Sequence, residues 1–271
     1  MESQGARDLE KKEEKYPMML MDEPKGDKPT FSLITASLNS KKDLAVTIQS
    51  LLSQKSQDFE FILVDGLSSD GTPDAAAAAA SKFVYPPKIT VEKDEGIYYA
   101  FNKGLRQVIG EYICFLGCGD KLVPDALDMV QAKIKEEPGA DVYYGILKKY
   151  DDGGGFTVYS SSPENLLNCS MIPHQASFIR RETYRSLGGF SQEYRIASDF
   201  EVMLRIFLNK GKFVFIDQIL AEFKLGGIST RDSDGYYECI KILKKYNCIG
   251  EGEYRKKTLK KIFRDALKRL L

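Results

Sequence analysis

The chain has 271 residues, enough for one large domain or two small ones with a sizeable core. Its 43% hydrophobic and 29% charged residues are ordinary for a soluble globular protein, and its formal net charge of zero gives no argument for a nucleic-acid partner. Five scattered cysteines without a CxxC pair, together with a single histidine, argue against a zinc site and for a reducing compartment, so we expect a cytoplasmic protein.

After a mixed-charge N-terminal extension over residues 1–28, apolar β-rich runs alternate with helix-forming segments. The predicted strands are FSLITASL (31–38), FEFILVDG (59–66), KITVEKD (88–94) and EYICFLGCGD (111–120). The predicted helices are KKDLAVTIQSLLSQ (41–54), SSDGTPDAAAAAASKF (68–83), GIYYAFNKGLRQV (96–108) and PDALDMVQAKIKEE (124–137). This alternation predicts an α/β fold in which helices cover both faces of a parallel sheet.

The second half of the chain is less regular. Residues 141–160 resemble a hairpin with a Gly-rich turn, 174–190 a strand followed by a short helix, and 197–217 a helix followed by a strand. We expect one domain over residues 29–230 and a C-terminal helical tail over 231–271.

Polar residues collect at the carboxyl ends of the four predicted strands: Thr35 and Ser37, then Asp65, Asp94 and Asp120. In parallel sheets, ligands bind in the crevice outside these ends. Any one of these residues is also explained by a turn or a helix cap. Four polar strand ends together predict a single ligand crevice.

Six segments carry a resemblance to a known family. They are FSLITASLN, FILVDGLSSDGT, DEGIYYAFNKGL, GEYICFLGCGD, HQASFIRRETY and ASDFEVMLR. Their order and distances resemble those of family 2 glycosyltransferases over roughly residues 30–230, especially bacterial enzymes that build capsular polysaccharide or O-antigen.

The resemblance implies the GT-A nucleotide-diphospho-sugar fold, with a mostly parallel, Rossmann-like central sheet flanked by helices. It also implies an inverting, metal-dependent transfer of a hexosyl or N-acetylhexosaminyl group. The donor would be a nucleotide-diphospho-sugar, in the first place a UDP-sugar. The acceptor would be a hydroxyl of a glycan or of a polyprenyl-diphosphate-linked sugar in surface polysaccharide synthesis.

By this resemblance, three residues at the first two strands bind the nucleotide. Thr35 and Ser37 lie where the family holds the base and ribose, and Asp65 matches its base-binding aspartate. The Asp65 carboxylate would accept a hydrogen bond from the uracil N–H.

The segment DEGIYYAFNKG matches a family stretch that closes over the nucleotide, which places Asp94, Gly96, Asn102 and Lys103 at the donor. A lysine beside a diphosphate has an evident electrostatic role, although an exposed helical lysine needs no such role. Tyr99 departs from the family, which often has Asp there.

Asp120 matches the last residue of the family's metal-binding DxD-like motif, here written Gly117-Cys118-Gly119-Asp120. One carboxylate can suffice, because Mg²⁺ keeps several waters and takes substrate phosphate oxygens, and Mn²⁺ accepts the same oxygen ligands. We therefore expect Mn²⁺ or Mg²⁺ at Asp120, with Cys118 serving in packing.

Asp199 lies where the family places its catalytic base, which takes the proton of the acceptor hydroxyl. Its alternative role is a helix N-cap, and Glu201 ranks second as a base because it would point away on a helix. His174 is expected near the donor phosphates or the acceptor, unless it is a structural imidazole.

Two late segments add expectations. Residues 226–230 (GGIST) resemble a flexible family element that could close over the donor. Residues 253–271 form a basic amphipathic helix, which either packs on the domain or docks on an anionic membrane surface at the inner face of the cell membrane.

Two other functions are compatible with such a fold. A sugar nucleotidyltransferase would carry a Gly-rich basic loop after the first strand, which TASLNSKKD lacks. A non-catalytic nucleotide-sugar-binding module would explain the reduced GCGD motif, but Asp120 and Asp199 are both present.

Overall fold

The computed structural model describes residues 28–151, 153–225 and 234–270, apart from the side chains of 234 and 264–270. The strands of this part are β1 Phe31–Ser37, β2 Phe59–Asp65, β3 Lys88–Val91, β4 Tyr112–Gly117, β5 Lys121–Leu122, β6 Val142–Tyr150, β7 Phe156–Tyr159, β8 Ser177–Arg180 and β9 Phe213–Lys224. Its α-helices are α1 Lys41–Leu52, α2 Thr72–Ala79, α3 Ile97–Gln107, α4 Ala126–Glu136, α5 Arg181–Leu187, α6 Ser198–Leu208, α7 Asp234–Lys245 and α8 Glu251–Leu270.

All of these strands join one sheet, in the order β3-β2-β1-β4-β8-β6-β9-β5, with β7 paired to β6. The first four strands are parallel, as the alternation of strands and helices predicts. Beyond β4 the sheet becomes mixed, because β8 runs antiparallel to both β4 and β6. The predicted hairpin over 141–160 is confirmed as the antiparallel pair β6–β7.

The core has two layers, one on each face of the sheet. Alternation along β1 sends Ile34 towards the face covered by α3, α6 and α7, and Leu33 towards the face covered by α1, α2 and α4. Both side chains are fully buried. The strands are apolar on both sides because neither face of the parallel region meets water.

Two of the four predicted strand-end positions lie beyond their strands in the structure. Ser37 and Asp65 are the last residues of β1 and β2, and Thr35 lies two residues before the end of β1. Asp94 lies in a loop, because β3 ends at Val91. Asp120 lies in the turn after β4, because Gly119 adopts a φ of +94° that breaks the strand.

The structure bears on only one of the three predictions made for the N-terminal extension, the lid and the C-terminal tail. The extension up to residue 27 and the predicted lid at 226–230 lie outside the described residues. The tail is helical over α7 and α8. Within the described part of the chain, no helix is long and apolar enough to cross a membrane.

Gly104→Ala is expected to lower the free energy of unfolding by about 1–3 kcal/mol. Gly104 lets α3 approach β1 closely, since a Cβ at this position would lie 2.7 Å from Ile34 Cγ2. Gly252→Ala in α8 is the matched control, because a Cβ there meets nothing within 4 Å. It should be neutral or add about 0.5–1 kcal/mol. Urea denaturation measures both, and equal effects would contradict close packing at Gly104.

Candidate active site

Asp65, the predicted base-binding aspartate, is the last residue of β2. It is fully buried, and register pairs it with Ser37 across the two strands. Its Oδ2 accepts hydrogen bonds from the hydroxyls of Ser37 (2.6 Å) and Ser68 (2.7 Å), and its Oδ1 accepts one from the Ser68 main-chain N–H (2.7 Å). These three bonds fix the carboxylate in one orientation, as base recognition requires.

Asp94, in the loop after β3, forms an ion pair with Lys103 of α3. Lys103 Nζ lies 2.6 Å from Asp94 Oδ1 and 3.0 Å from Glu92 Oε1. Burial acts to lower the pKa of Lys103, but the two carboxylates outweigh it, so the pKa is raised. Asp94 also lies beside the end of β2, since its Oδ2 is 3.8 Å from where a Gly66 Cβ would stand.

Gly96 makes the sharp entry into α3. Its φ of 149° and ψ of 169° belong to a region that is essentially restricted to glycine. Its carbonyl accepts hydrogen bonds from the N–H groups of Tyr99 and Ala100 and so starts the helix. The segment 94–96 therefore turns sharply beside the crevice.

Asp120 folds back onto its own turn. It is 4% exposed, and its Oδ2 accepts a hydrogen bond of 2.8 Å from the Gly117 N–H. A Cβ at Gly117 would lie 2.9 Å from that oxygen, so a side chain there would displace the carboxylate. Thr47 of α1 ties the turn down, accepting from the Gly119 N–H and donating to the Asp120 carbonyl, each at 2.9 Å. Burial raises the pKa of Asp120 to about 7.

The ends of β1, β2 and β4 converge around the Cys118 thiol. Burial, followed by the negative charges of Asp120, Asp43 and Asp65, raises its pKa to about 12. The thiol therefore stays protonated at neutral pH and suits packing rather than a hard cation. Asp43, in the first turn of α1, is a nearby carboxylate that the motif comparison did not identify.

Asp120 offers one carboxylate, and carboxylate oxygens are the ligands that Mg²⁺ and Mn²⁺ prefer. Within the described residues, no group of three or more His, Cys, Asp or Glu could hold a metal ion. A cation at Asp120 would therefore need oxygens of the donor diphosphate and water for most of its shell.

Asp199 occupies the first turn of α6, where Ala197 rather than Asp199 is the N-cap. Its Oδ1 accepts from the Phe200 N–H (2.8 Å) and lies 3.1 Å from the Tyr98 hydroxyl of α3. Burial raises the pKa of Asp199 to about 6, and these two donors oppose the rise. A carboxyl that titrates near 6 is suited to general-base work at neutral pH.

Glu201 points away from Asp199, as the helical spacing predicts. It is fully buried and accepts a hydrogen bond from the Tyr246 hydroxyl at 2.9 Å. It also pairs with Arg205 at 3.8 Å. These contacts join α6 to the chain beyond α7 and occupy the Glu201 carboxylate with structural partners.

Three predicted binding residues, Thr35, Asn102 and His174, are buried inside the protein. Thr35 is fully buried, and its hydroxyl has no hydrogen-bond partner among the described residues. Asn102 uses its amide oxygen and nitrogen on the main chain of Phe190, each at 2.8 Å.

His174 stacks on Phe115, with ring centroids 5.1 Å apart, and burial lowers its pKa to about 3. Its ring is therefore neutral at physiological pH and brings no positive charge to a diphosphate. Its Nε2 is buried without a hydrogen-bond partner in the described part of the chain.

Three residues of the site escape motif comparison: Ser68, Tyr98 and Glu238. The contact of Ser68 with Asp65 could be predicted from the sequence, since a serine three residues after an aspartate commonly closes a local turn. Tyr98 sits inside a quoted motif, but its spacing alone marks it as an apolar helix face. Glu238 carries no sequence signal, because its contacts lie more than 40 residues away in the chain.

Comparisons with known proteins identify the family of the chain. The family described as Glycosyl transferase family 2 matches residues 32–204. The "PGL/p-HBAD biosynthesis glycosyltransferase" of Mycobacterium bovis (strain BCG / Pasteur 1173P2) is 33% identical over 209 residues, which cover 74% of this chain and 80% of the relative. The "Putative teichuronic acid biosynthesis glycosyltransferase TuaG" of Bacillus subtilis (strain 168) is 30% identical, covering 73% and 80% respectively.

Two solved structures share the fold. Residues 1–349 of S. aureus TarS, in complex with UDP-GlcNAc, superpose with a TM-score of 0.67 at 20% identity, covering 84% of this chain and 69% of that one. The mannosyltransferase PcManGT from Pyrobaculum calidifontis, in complex with GDP-Man and Mn²⁺, gives 0.61 at 17% identity, covering 89% and 70%.

Proposed function

Because the chain belongs to glycosyl transferase family 2 and has the GT-A fold, we propose that this glycosyltransferase is an inverting, metal-dependent enzyme that uses a UDP-sugar. The acceptor is a hydroxyl of a glycan or lipid-linked sugar in bacterial surface polysaccharide synthesis. One arrangement carries the proposal: a fixed, buried Asp65 at the end of β2, with Asp94 and Asp120 in the segments that follow β3 and β4.

The proposed choice of a UDP-sugar as donor rests on Asp65 and on Ser37 and Ser68, which orient its carboxylate. An oriented carboxylate accepts from a ring N–H such as that of uracil, and cannot do so from a base that lacks one. The TarS complex with UDP-GlcNAc supports this choice of nucleotide. Lys103, held by Asp94, lies on the same side and supplies a positive charge for the diphosphate.

The chemistry is assigned to Asp199. Its carboxylate accepts the proton of the acceptor hydroxyl while that oxygen attacks the anomeric carbon. The bond to the nucleotide diphosphate breaks on the opposite side, so the configuration inverts. The pKa of about 6 leaves Asp199 ionised at pH 7 and still able to hold the proton during the transfer.

The metal is assigned to Asp120. A divalent cation there would neutralise the negative charge that grows on the leaving diphosphate. The Mn²⁺ in the PcManGT complex supports the use of a divalent cation. Asp120 itself contributes a carboxylate held in place by the Gly117 N–H. His174 stays a candidate for a neutral donor-side contact through its unpartnered Nε2.

The acceptor side rests on the names of the relatives and on the tail. TuaG is named for teichuronic acid synthesis and the mycobacterial relative for PGL/p-HBAD synthesis. On α8, three apolar side chains are exposed: Leu259 (65%), Ile262 (51%) and Phe263 (71%). Lysines flank them, so this face suits a cytoplasmic membrane surface rich in anionic lipid.

The double variant Leu259→Ala/Phe263→Ala is expected to weaken binding to vesicles of anionic phospholipid by at least about tenfold, because each side chain loses apolar burial in the interface. Co-sedimentation measures this. Val84→Ala is the matched control, since Val84 is 67% exposed elsewhere on the surface. If the wild-type protein binds anionic and zwitterionic vesicles equally, or binds neither, the proposal that α8 docks on an anionic membrane surface is wrong.

The proposed function is tested by nucleotide release from a panel of UDP-, GDP- and dTDP-sugars with and without Mn²⁺. We expect release from at least one UDP-sugar, dependent on the cation and accelerated by a glycan acceptor. A protein that binds UDP but releases nothing from any donor would be the non-catalytic module instead. The sugar nucleotidyltransferase alternative does not agree with the family assignment.

A further inference from the structure

The segment before the proposed base is held from two sides. Residues 195–197 precede α6, and their three consecutive main-chain N–H groups point to one carboxylate, that of Glu238 on α7. Arg195 N–H lies 3.0 Å from Oε1, while Ile196 N–H and Ala197 N–H lie 2.8 Å from Oε2. Three donors on one carboxylate make a strong, orienting anion contact.

The opposite side of this segment is held by α3. The Tyr98 hydroxyl lies 2.5 Å from the Ile196 carbonyl oxygen and 3.1 Å from Asp199 Oδ1, so its one hydrogen can be donated to either oxygen. Tyr98 is 6% exposed and stacks on Phe190 with ring centroids 5.4 Å apart, so its ring has little freedom. The same hydroxyl thus contacts both the segment and the carboxylate that follows it.

We infer that Tyr98 and Glu238 are positioning residues for Asp199: they hold residues 195–197 from opposite sides and set the orientation and charge state of the carboxylate. This inference rests on the proposed role of Asp199 as the base. Glu238 lies beyond residue 204, where the family match ends. The C-terminal tail is therefore part of the catalytic apparatus as well as a candidate membrane contact.

The start of α7 is pressed against the same segment. A Cβ at Gly235 would lie 3.2 Å from Ile196 Cγ2, so a glycine permits the close approach. Lys245, at the other end of α7, pairs with Glu193 at 2.9 Å. Helix α7 is thus anchored on both sides of the loop that leads to α6.

The two contacts act on Asp199 with opposite signs. The Tyr98 hydroxyl can donate to the carboxylate and favours its charged form, whereas the negative charge of Glu238 disfavours it. The phenol has only one hydrogen, so with that hydrogen on the Ile196 carbonyl its lone pairs can accept from a protonated Asp199. Tyr98 can therefore donate a hydrogen bond to the ionised Asp199 carboxylate and accept one from the carboxyl after Asp199 has taken the acceptor proton.

Other titratable groups near Asp199 come from two elements. Tyr184 on α5 and Cys239 on α7 both sense the Asp199 charge. Burial raises the pKa of each, so both are neutral at physiological pH. Glu238 is therefore the neighbouring negative charge that acts on the pKa of Asp199.

The test titrates Asp199 directly, by NMR of protein with ¹³C in the aspartate side-chain carboxyls, the peak being assigned by its loss in Asp199→Asn. Wild type should titrate near pH 6. Tyr98→Phe should move the midpoint up by about one pH unit, through loss of a donor to a charged group. Glu238→Gln, which keeps an acceptor oxygen, should move it down by about half a unit.

The acid limb of the kcat/KM profile should move with these midpoints, while the KM for the donor changes little. A merely structural role for either residue would not shift the midpoints in opposite directions. Unshifted midpoints, or two shifts of the same sign, would overturn the inference. If Tyr98→Phe does not fold, the downward shift in Glu238→Gln decides the charge effect by itself.

The base role of Asp199 and the positioning roles of Tyr98 and Glu238 can be disproved independently of each other. An Asp199→Asn variant as active as wild type would remove the base assignment, whatever the NMR midpoints. An inactive Asp199→Asn combined with unshifted midpoints in both variants would leave the base assignment standing and overturn only the roles of Tyr98 and Glu238.

Discussion

Asp199→Asn is expected to lower kcat for sugar transfer by about 10²- to 10⁴-fold, the usual contribution of a general base. The amide cannot take the acceptor proton, yet it keeps the size of the side chain and the oxygen that accepts from the Phe200 N–H. UDP affinity should stay within about threefold, because the donor half of the site is formed by other residues. Initial rates with saturating donor and acceptor measure the first effect and calorimetry the second.

The pH profile gives the same carboxyl a second signature. The base works only when ionised, so kcat/KM should rise as pH increases through about 6 and level off above it. At saturating Mn²⁺, which keeps the Asp120 carboxylate ionised, the rising limb should be absent from the residual activity of the variant.

Asp128→Asn is the matched control for this change. Asp128 is also a first-turn aspartate, on α4, but it is exposed to solvent. The control therefore repeats the loss of one negative charge near a helix N-terminus without touching the crevice. An equal loss of activity in both variants would show that the effect is not specific to a base at Asp199.

Asp120→Asn is expected to reduce metal-dependent activity by about 10²- to 10³-fold, because a cation at the diphosphate supplies several kcal/mol of transition-state stabilisation. The fold should persist, since the asparagine oxygen can still accept from the Gly117 N–H. A readout independent of turnover is the gain in UDP affinity on adding Mn²⁺, which calorimetry measures. Wild type should show that gain and Asp120→Asn should lose it.

Asp43→Asn is the control for the metal assignment. Asp43 is an exposed carboxylate whose Oδ1 stands 3.8 Å from where a Gly119 Cβ would lie. If only Asp120→Asn loses the Mn²⁺ effect, a single carboxylate serves the cation. If Asp43→Asn loses it equally, the assignment to Asp120 alone is wrong. If neither variant loses it, the cation is not held here.

The parallel half of the sheet and its polar edge follow from local sequence. Alternating β-rich and helix-forming runs leave few topologies, and short right-handed crossovers then bring the strand ends to one edge. Asp65, Asp94 and Asp120 could therefore be grouped before any contact was known. Their partners could not, because the Ser37–Asp65 bond depends on the register of β1 against β2.

Asp199 shows what the order of residues in the chain leaves undetermined. The motif predicts the position of Asp199, and residue spacing predicts its helix. The conformation of the segment before that helix and the pKa of the carboxyl depend on Tyr98 and Glu238, which are distant in the chain. The N-cap alternative for Asp199 is wrong because α6 already begins at Ser198, with Ala197 as its N-cap, so Asp199 lies inside the first turn.

By itself, the sequence determined the family, the βα alternation and the placement of acidic residues near the carboxyl ends of the parallel strands, because these depend on residue type and near-neighbour order. Tertiary structure alone decided that Asn102 links α3 to Phe190, that His174 is packed as a neutral ring, and that a glutamate from the tail holds the segment before Asp199. Hydrogen bonding, burial and the shift of a carboxyl pKa all arise from atoms brought together across long stretches of chain, and a local pattern carries no record of them.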